Sequence, residues 1–153
     1  MLISEGVLKW AMRFYPPLFF QRILVTRFDK GFRGAEVKIK KSFFNKNYNG
    51  SIFGGTIFSA ADAFYPVLLY QVLTHKGYKI RAWSHSLAIR FRKPAKTDLH
   101  FKINLSDEII DDCEQVLNTI GKYRRTFPIE IYDKNEVLCV SVLIKVYIRN
   151  LRK

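Results

Sequence analysis

The period of the hydrophobic pattern changes several times along the chain, and each change predicts a new element. In residues 3–14 the apolar positions recur at helical spacing behind Ser4, a residue type that often caps helices. We expect an amphipathic helix there, stopped by Pro16 and Pro17, within a helical segment that covers 3–20.

A far more apolar helix is predicted over 55–75, because this stretch is hydrophobic on nearly every face and ends beside Gly77. It follows a loop rich in Asn and Gly, residues 45–55. The window 51–74 is long enough to cross a bilayer, but it contains a charged residue, Asp62. We therefore interpret it as a core helix that other structure must wrap.

Alternating apolar and polar positions predict six strands. Two surround the turn residues 30–34, and four follow the long helix, centred on 87–92, 99–105, 127–131 and 137–148. The acidic stretch 107–121 interrupts them and predicts a loop with a short helix near Cys113–Leu117. The pattern is that of an α+β fold, one domain over 1–153 in which an antiparallel sheet wraps a central helix.

Such a sheet carries a helix on one face only. Its other face and its edges would be covered most simply by a second copy of the chain, so we expect a homodimer or a dimer of dimers.

The charge balance changes the picture of the partners. With 26 Lys and Arg against 13 Asp and Glu, the net charge of +13 attracts nucleic acid, anionic lipid, coenzyme A or an acidic carrier protein, unless it is only a solvated surface. The two cysteines, Cys113 and Cys139, have no metal-like or redox-like spacing. Together with an amino terminus that lacks the pattern of a secretory signal, they favour a cytoplasmic protein.

Asp62 is the candidate for chemistry, because it is the one group in 51–74 that ionises at neutral pH. Burying an unpaired carboxylate costs several kcal/mol or more, so such residues are usually paired or functional. Asp62 would therefore be a general base or acid, or would be satisfied by a neighbouring side chain or a dimer seam.

Gly54 and Gly55 fall at the start of the long helix, where backbone amides are unpaired and the helix dipole favours negative charge. The absence of side chains lets a ligand approach those amides. A thioester oxygen that gains charge during attack is the kind of group that this arrangement stabilises. The alternative is that the two glycines serve only a tight turn.

The run NYNGSIFGGTIFSAAD resembles the hotdog-fold thioesterases of the phenylacetate-degradation type. Over nearly its full length the chain also resembles the DUF4442 branch of that superfamily, in the segments WAMRFYPP, NYNGSIFGG, DAFYPVLL and IRFRKPAK. The resemblance implies a hotdog fold and hydrolysis of acyl-CoA or acyl-carrier thioesters. It implies no cofactor beyond the coenzyme A of the substrate.

Residue by residue, the resemblance implies that Asp62 is the nucleophile or general base that delivers water to the thioester. Gly54 falls where a glycine amide polarises the carbonyl, and Asn47 where a loop asparagine holds the water or carboxylate. Asn49 takes that place in another loop register. Ser84 matches a serine that orients the water. In such enzymes the Asn and Gly come from one subunit and the Asp from its neighbour.

Phe53 departs from the pattern, since many thioesterases of this type have His before the two glycines, although Phe is common in the DUF4442 branch. The loss of the imidazole supports a second hypothesis, a binding protein that holds an acyl group or lipid without hydrolysis. A hotdog dehydratase is disfavoured, because no His lies near Asp62 in the sequence.

The remaining substrate contacts follow from position. Gly55 lies beside the reacting carbonyl, and the acyl chain would run beside Phe53, Phe58 and Phe64. Four basic residues at the end of a strand would grip the phosphates of coenzyme A or an acidic carrier, unless they are a solvated face: Arg90, Arg92, Lys93 and Lys96.

Other signals carry less. The three histidines are scattered, so no metal site is expected, and no nucleic-acid motif accompanies the basic residues. The amino-terminal segment mixes Trp10, Phe14 and Phe19 with Lys9 and Arg13. That mixture suits peripheral membrane contact, and it equally suits packing against the acyl tunnel or the dimer.

Overall fold

The structure is a computed structural model that describes residues 2–152. Its helices are α1 (Glu5–Phe14), α2 (Pro16–Phe19), α3 (Gly54–His75) and α4 (Asp107–Thr119). Its strands are β1 (Ile23–Phe28), β2 (Gly34–Ile39), β3 (Ile80–Phe91), β4 (Leu99–Asn104), β5 (Lys122–Asp133) and β6 (Leu138–Asn150). The predicted α+β order is confirmed, and the short helix expected between β4 and β5 is the longer α4.

The six strands form one antiparallel sheet in the order β1-β2-β4-β5-β6-β3. The sheet wraps α3, and its concave face supplies the core. Along β6, for example, Val142, Ile144 and Val146 are buried while Leu143 and Lys145 are exposed. β6 lies between β5 and β3, an inner position that suits its nearly continuous apolar sequence.

Helix α3 fills the concavity, as its apolar composition predicted. Twelve of its residues are buried, and the ring of Tyr65 stacks on Phe127 of β5 with the ring centroids 4.4 Å apart. By length and composition α3 could cross a membrane, but most of that stretch is buried under the sheet. It is the core helix of the fold.

The amino-terminal helices differ in detail from the prediction. Ser4 caps α1 as expected, its hydroxyl accepting from the Val7 amide at 3.3 Å. Pro16 and Pro17 do end α1, but they also occupy the first positions of α2, where a missing N–H costs nothing. Both helices pack over β1 at one edge of the sheet.

The prediction of a mostly irregular segment at 107–121 was wrong, because α4 runs through thirteen of these residues. Its N-cap is Ser106, whose hydroxyl accepts from the Ile109 amide at 3.3 Å, and its first turn carries two acids. The acidic residues that suggested a loop form the exposed face of an amphipathic helix. Its buried face contributes Ile110, Cys113 and Leu117 to the core.

Candidate active site

The loop before α3 is held by Asn45, which is 2% exposed. Its side-chain Nδ2 donates to the backbone carbonyl oxygens of Gln21 and Lys40, both at 2.8 Å. Its side-chain Oδ1 accepts from the Ser42 backbone amide at 2.8 Å. Sequence reasoning passed over this residue, although it satisfies three backbone groups and so determines where the loop enters α3.

Asn47 organises the tip of the same loop. Its Oδ1 accepts from the backbone amides of Asn49, at 3.0 Å, and Ser51, at 3.1 Å. Among the residues that the structure describes, its Nδ2 has no partner, so one donor of this half-buried side chain is available to a ligand. The Asn49 side chain is exposed.

The start of α3 leaves two amides unpaired. Phe53 is the N-cap and offers no side-chain acceptor, and within residues 2–152 the Gly54 and Gly55 amides donate to no protein group. A β-carbon at Gly54 would lie 3.1 Å from the ring of Phe91, and one at Gly55 would lie 2.5 Å from the ring of Phe53. A methyl group at either position would fit only if the exposed ring beside it moved aside, and glycine avoids that shift while leaving the amides accessible.

A groove of about 620 Å³ opens at this helix start. We call it the Asn47–Gly54 groove; its other lining residues include Asn49, Phe91, Arg92, Lys93 and Lys96. Arg92 is held in place because its Nε donates to Ser141 Oγ at 2.7 Å. The structure thus brings the predicted asparagine, the predicted glycine amide and three of the predicted cations to one place.

Asp62 lies in a different depression, which we call the Asp62 cleft. This cleft of about 450 Å³ is lined by Asp62, Phe58 and Ser59 of α3 and by Tyr15, Pro17 and Leu18 of the amino-terminal segment, among others. Asp62 is half-buried, less than its apolar neighbourhood in the sequence suggested. The reason is that it occupies the flank of α3 that the sheet of its own chain does not cover.

Ser84 touches Asp62 through the backbone. The Ser84 hydroxyl donates to the Asp62 carbonyl oxygen at 3.1 Å. In a regular helix that oxygen would accept from the amide four residues on, but that residue is Pro66, which has no N–H. Ser84 therefore replaces the missing helix bond. It lies within β3 rather than before the strand, beside a bulge at His85.

The two depressions are separate within one chain. They share no lining residue among those described, and Gly54 and Asp62 are eight residues apart, or about 12 Å along the helix axis. Asp62 and the Asn47–Gly54 groove of a single chain therefore do not enclose one substrate carbonyl.

Two expected substrate contacts lie elsewhere. Phe64 is fully buried and packs edge-on against Phe101 in the core, so the expectation that it lines an acyl site was wrong. Arg90 lies on the outer face of the sheet, opposite Ser141 in the register, and not in the Asn47–Gly54 groove. Phe58, by contrast, lines the Asp62 cleft and is 45% exposed, and Phe53 is 57% exposed at the start of α3.

The cysteines have the environment of core residues. Burial raises the pKa of the Cys113 thiol to about 12, and the nearby carboxylates of Asp112 and Glu114 add to the shift. Burial is also the main cause of the raised pKa of Cys139. Neither thiol is activated as a nucleophile. In the described part of the chain, no three His, Cys, Asp or Glu side chains are grouped as metal ligands.

Solved structures define the class of this fold, which is the hotdog fold. A probable thioesterase of unknown function from Pseudomonas aeruginosa superimposes with a TM-score of 0.86 at 16% identity, covering 98% of both chains. A thioesterase from Haemophilus influenzae gives 0.72 at 13% identity over 100% of this chain and 98% of its own. The PaaI protein of the E. coli phenylacetic acid degradation operon gives 0.65 at 18% identity over 97% and 96%.

The chain belongs to the family described as a domain of unknown function, DUF4442, whose profile matches residues 4–148. The family and the fold that the motifs indicated are therefore confirmed. No curated protein matches the sequence.

Proposed function

We propose that the protein hydrolyses acyl thioesters of coenzyme A or of an acyl carrier, in a site formed between two copies of the chain. The observation that supports this most directly is that the hydrogen-bond donors at the start of α3 and the carboxylate of Asp62 lie in two separate depressions along the same helix. The Asn47–Gly54 groove offers donors for a carbonyl oxygen, and the uncovered flank of the same helix offers a carboxylate, Asp62. Several structures with this fold are described as thioesterases.

In the proposed reaction the Asp62 carboxylate of one subunit removes a proton from water, and the water oxygen attacks the thioester carbonyl carbon. The carbonyl oxygen gains negative charge and is stabilised by the Gly54 amide of the other subunit. The C–S bond then breaks, and the thiolate takes the proton back from Asp62. The alternative, direct attack by the Asp62 carboxylate, uses the same two groups through a mixed anhydride that water opens.

The carrier end of the substrate would lie against the cations of the groove. Arg92, Lys93 and Lys96 line it next to Asn47 and Gly54, and coenzyme A carries a pyrophosphate and a further phosphate. This supports a substrate whose thiol carrier, like coenzyme A, bears negatively charged phosphates. Asn47 would use its free Nδ2 to hold the attacking water or the carboxylate of Asp62.

A homodimer that pairs β3 with its symmetry mate would join the two half-sites. Strand β3 is twelve residues long and lies at the edge of the sheet, so along one side its backbone pairs with no other strand in the part of the chain that the structure describes. It runs beside α3 and carries Ser84 next to Asp62.

We also propose that the protein is cytoplasmic, because both cysteines are free thiols, as is usual in a reducing compartment.

Phe53 favours a second candidate function, the binding of an acyl group or lipid without hydrolysis. Its ring lies across Gly55 at the start of α3, and it is 57% exposed. A ring in this position lies beside Gly55, and it adds apolar surface where an imidazole would add a hydrogen-bonding group.

The test is release of free thiol from short, medium, long and aromatic acyl-CoA substrates, with wild type compared with Asp62→Asn. The substitution keeps the shape of the side chain but removes the base, so turnover should fall by about 10²–10⁴-fold. Asp111→Asn, the same change at an exposed site on α4, is the matched control and should leave turnover unchanged.

Turnover by wild type that Asp62→Asn retains would contradict the assignment of Asp62. No turnover on any substrate, with tight binding of a fatty acyl-CoA, would establish the second candidate function.

A further inference from the structure

The amino-terminal helices expose an aromatic surface that neither proposed function uses. We call this surface the aromatic ridge; it consists of Val7, Trp10, Ala11 and Phe14 of α1 with Phe19 of α2 and the adjacent Phe20. The four α1 residues have the spacing i, i+3, i+4, i+7 of a single helix face. All are exposed, and Phe14 and Phe20 reach 67% and 64%.

The aromatic ridge is not the face by which α1 packs on the protein. That role belongs to Leu8 and Met12, which are buried. Helix α1 is therefore apolar on two sides, one inside and one outside. Four rings continue along the ridge, with centroids 6.2 Å apart for Trp10 and Phe14, 6.1 Å for Phe14 and Phe19, and 5.3 Å for Phe19 and Phe20. A contiguous exposed patch of this kind marks an interaction surface.

Two cations lie beside Trp10, at one end of the row of rings. Lys9 Nζ lies 5.5 Å and the Arg13 guanidinium 5.0 Å from the centroid of the Trp10 ring. The single acid of these two helices, Glu5, points away, because its carboxylate accepts from the Gly31 amide at 2.7 Å. The chemistry offered to a partner is therefore apolar and aromatic along the row of rings and positive beside Trp10.

This combination argues against a second copy as the occupant. Two ridges in contact would bring Lys9 and Arg13 against their own copies without acids to offset them. In addition, α1 packs over β1, which is at the opposite edge of the sheet from β3, the edge proposed for dimerisation. The complementary partner is therefore a surface with an apolar interior and a negatively charged outer layer.

We propose that the aromatic ridge docks the protein on an anionic lipid bilayer. The rings enter the boundary between headgroups and acyl chains, and Lys9 and Arg13 contact the lipid phosphates. The same segment leads to the Asp62 cleft, which Tyr15, Pro17 and Leu18 line together with Phe58. An acyl chain could thus reach that cleft from the lipid side. Docking is independent of whether the protein hydrolyses thioesters.

The two tryptophans of the chain allow a direct test. Trp10 lies on the ridge, whereas Trp83 lies on the outer face of the sheet beside Tyr147, with the ring centroids 4.8 Å apart. The Trp83→Phe protein reports on the ridge alone, and the Trp10→Phe protein reports on the outer face alone. The outer face is itself basic, with Arg81, Arg124 and Arg149 near Trp83 in the strand register. A change in Trp83 emission would therefore report vesicle binding that is driven by charge alone.

With phosphatidylcholine vesicles that contain phosphatidylglycerol, we expect a blue shift of Trp10 emission and no shift of Trp83 emission. Vesicles of phosphatidylcholine alone should bind more weakly. In co-sedimentation, Phe14→Ser should weaken binding by about tenfold or more, because it removes the most exposed ring of α1. Leu143→Ser, which removes an exposed apolar side chain from the outer face, is the matched control and should bind as wild type does.

Three results would overturn the proposal: no vesicle binding, a shift of Trp83 rather than Trp10, or binding that Phe14→Ser leaves intact. Conversion of a larger oligomer to a smaller one by Phe14→Ser would also overturn it, since a second copy would then cover the ridge. Phe14→Ser should keep wild-type turnover of short soluble acyl-CoA, so a failure to dock is distinguishable from a failure to hydrolyse.

Discussion

The hydroxyl of Ser84 and the backbone carbonyl oxygen of Asp62 are joined by a hydrogen bond of 3.1 Å, which replaces the bond that Pro66 cannot make. This bond ties the edge strand β3 to the middle of α3 at the candidate catalytic residue. We expect Ser84→Ala to lower the free energy of unfolding by about 0.5–1.5 kcal/mol, the net contribution of a typical hydrogen bond, because the bond is only part-buried. Urea denaturation measures this, with the exposed Ser86→Ala as control.

The source of that cost can be isolated, because Pro66→Ala returns an N–H to position 66. In the Pro66→Ala background the Asp62 carbonyl has a helix donor again, so Ser84→Ala should cost less there than in wild type. A double-mutant cycle measures the coupling. Strictly additive effects would mean that Ser84 stabilises the protein in some other way.

The proposal that two subunits share each site predicts complementation between two inactive variants. Asp62→Asn removes the base, and Gly54→Ala puts a methyl group at the amide, where the ring of Phe91 is exposed and free to move aside. When the two proteins are unfolded and refolded together, half of the dimers are mixed and each has one intact site. Turnover should return to about a quarter of the wild-type value.

Recovery cannot occur if Asp62 and Gly54 of the same chain act together, because each chain then carries a defect. The Asn47→Ala and Asn49→Ala proteins, each mixed with Asp62→Asn, decide which loop asparagine takes part. Only an inactive variant that Asp62→Asn rescues belongs to the opposite half-site.

The cations of the Asn47–Gly54 groove should contribute to KM through the phosphates of coenzyme A. We expect Lys93→Ala to raise KM for an acyl-CoA several-fold, while KM for the same acyl group on N-acetylcysteamine, which has no phosphate, stays unchanged. Added salt should act as the mutation does, raising KM for the acyl-CoA alone. Equal effects on both substrates would mean that Lys93 acts on the fold rather than on the carrier.

Stability should fall at alkaline pH because several buried groups, Cys113 and Tyr65 among them, hold their protons in the folded protein. The pKa of Cys113 rises from 9.0 to about 12, and that of Tyr65 from 10.0 to about 12, in both cases mainly through burial. The unfolded chain releases these protons first, so their contribution is complete below pH 9 and is lost between pH 9 and 12. Each group adds a slope of about 1.4 kcal/mol per pH unit within its window.

Urea denaturation at a series of pH values measures this slope, and Cys113→Ala should reduce it. Because Cys113 and Cys139 are both buried, thiol reagents at pH 8 should modify them only after unfolding. Immediate modification of the native protein would contradict the burial of these thiols.

Much of the fold was predictable because period and composition agreed within each element. The long helix was found to within one residue of its start at Gly54, since a stretch apolar on every face can only be a core element. Helix α4 was predicted only as a short helix near Cys113–Leu117, although Ile109, Ile110 and Cys113 already have helical spacing. The acidic residues of this segment made its apolar face hard to recognise in the sequence. The capping residue Ser106, which also indicates a helix start, was not used in the prediction.

The candidate site was predictable as a set of residues but not as an arrangement. The loop motif indicated Asn47 and Gly54 as site residues. Asp62 was indicated because it is the one charged residue in an otherwise apolar helix. That the two parts lie in separate depressions depends on which flank of α3 the sheet leaves uncovered, which no local pattern encodes. The role of Ser84 depends on a contact between residues 22 positions apart in the chain.

The strand order has a consequence for synthesis of the protein on the ribosome. Strand β3 pairs with β6 and with no other strand of the described chain, yet a further helix and two strands are translated between them. Until β6 emerges, β3 has no partner and the apolar flank of α3 beneath it is open to water. We therefore expect the nascent chain to be most prone to aggregation between the synthesis of β3 and that of β6, and faster completion of β6 to shorten that period.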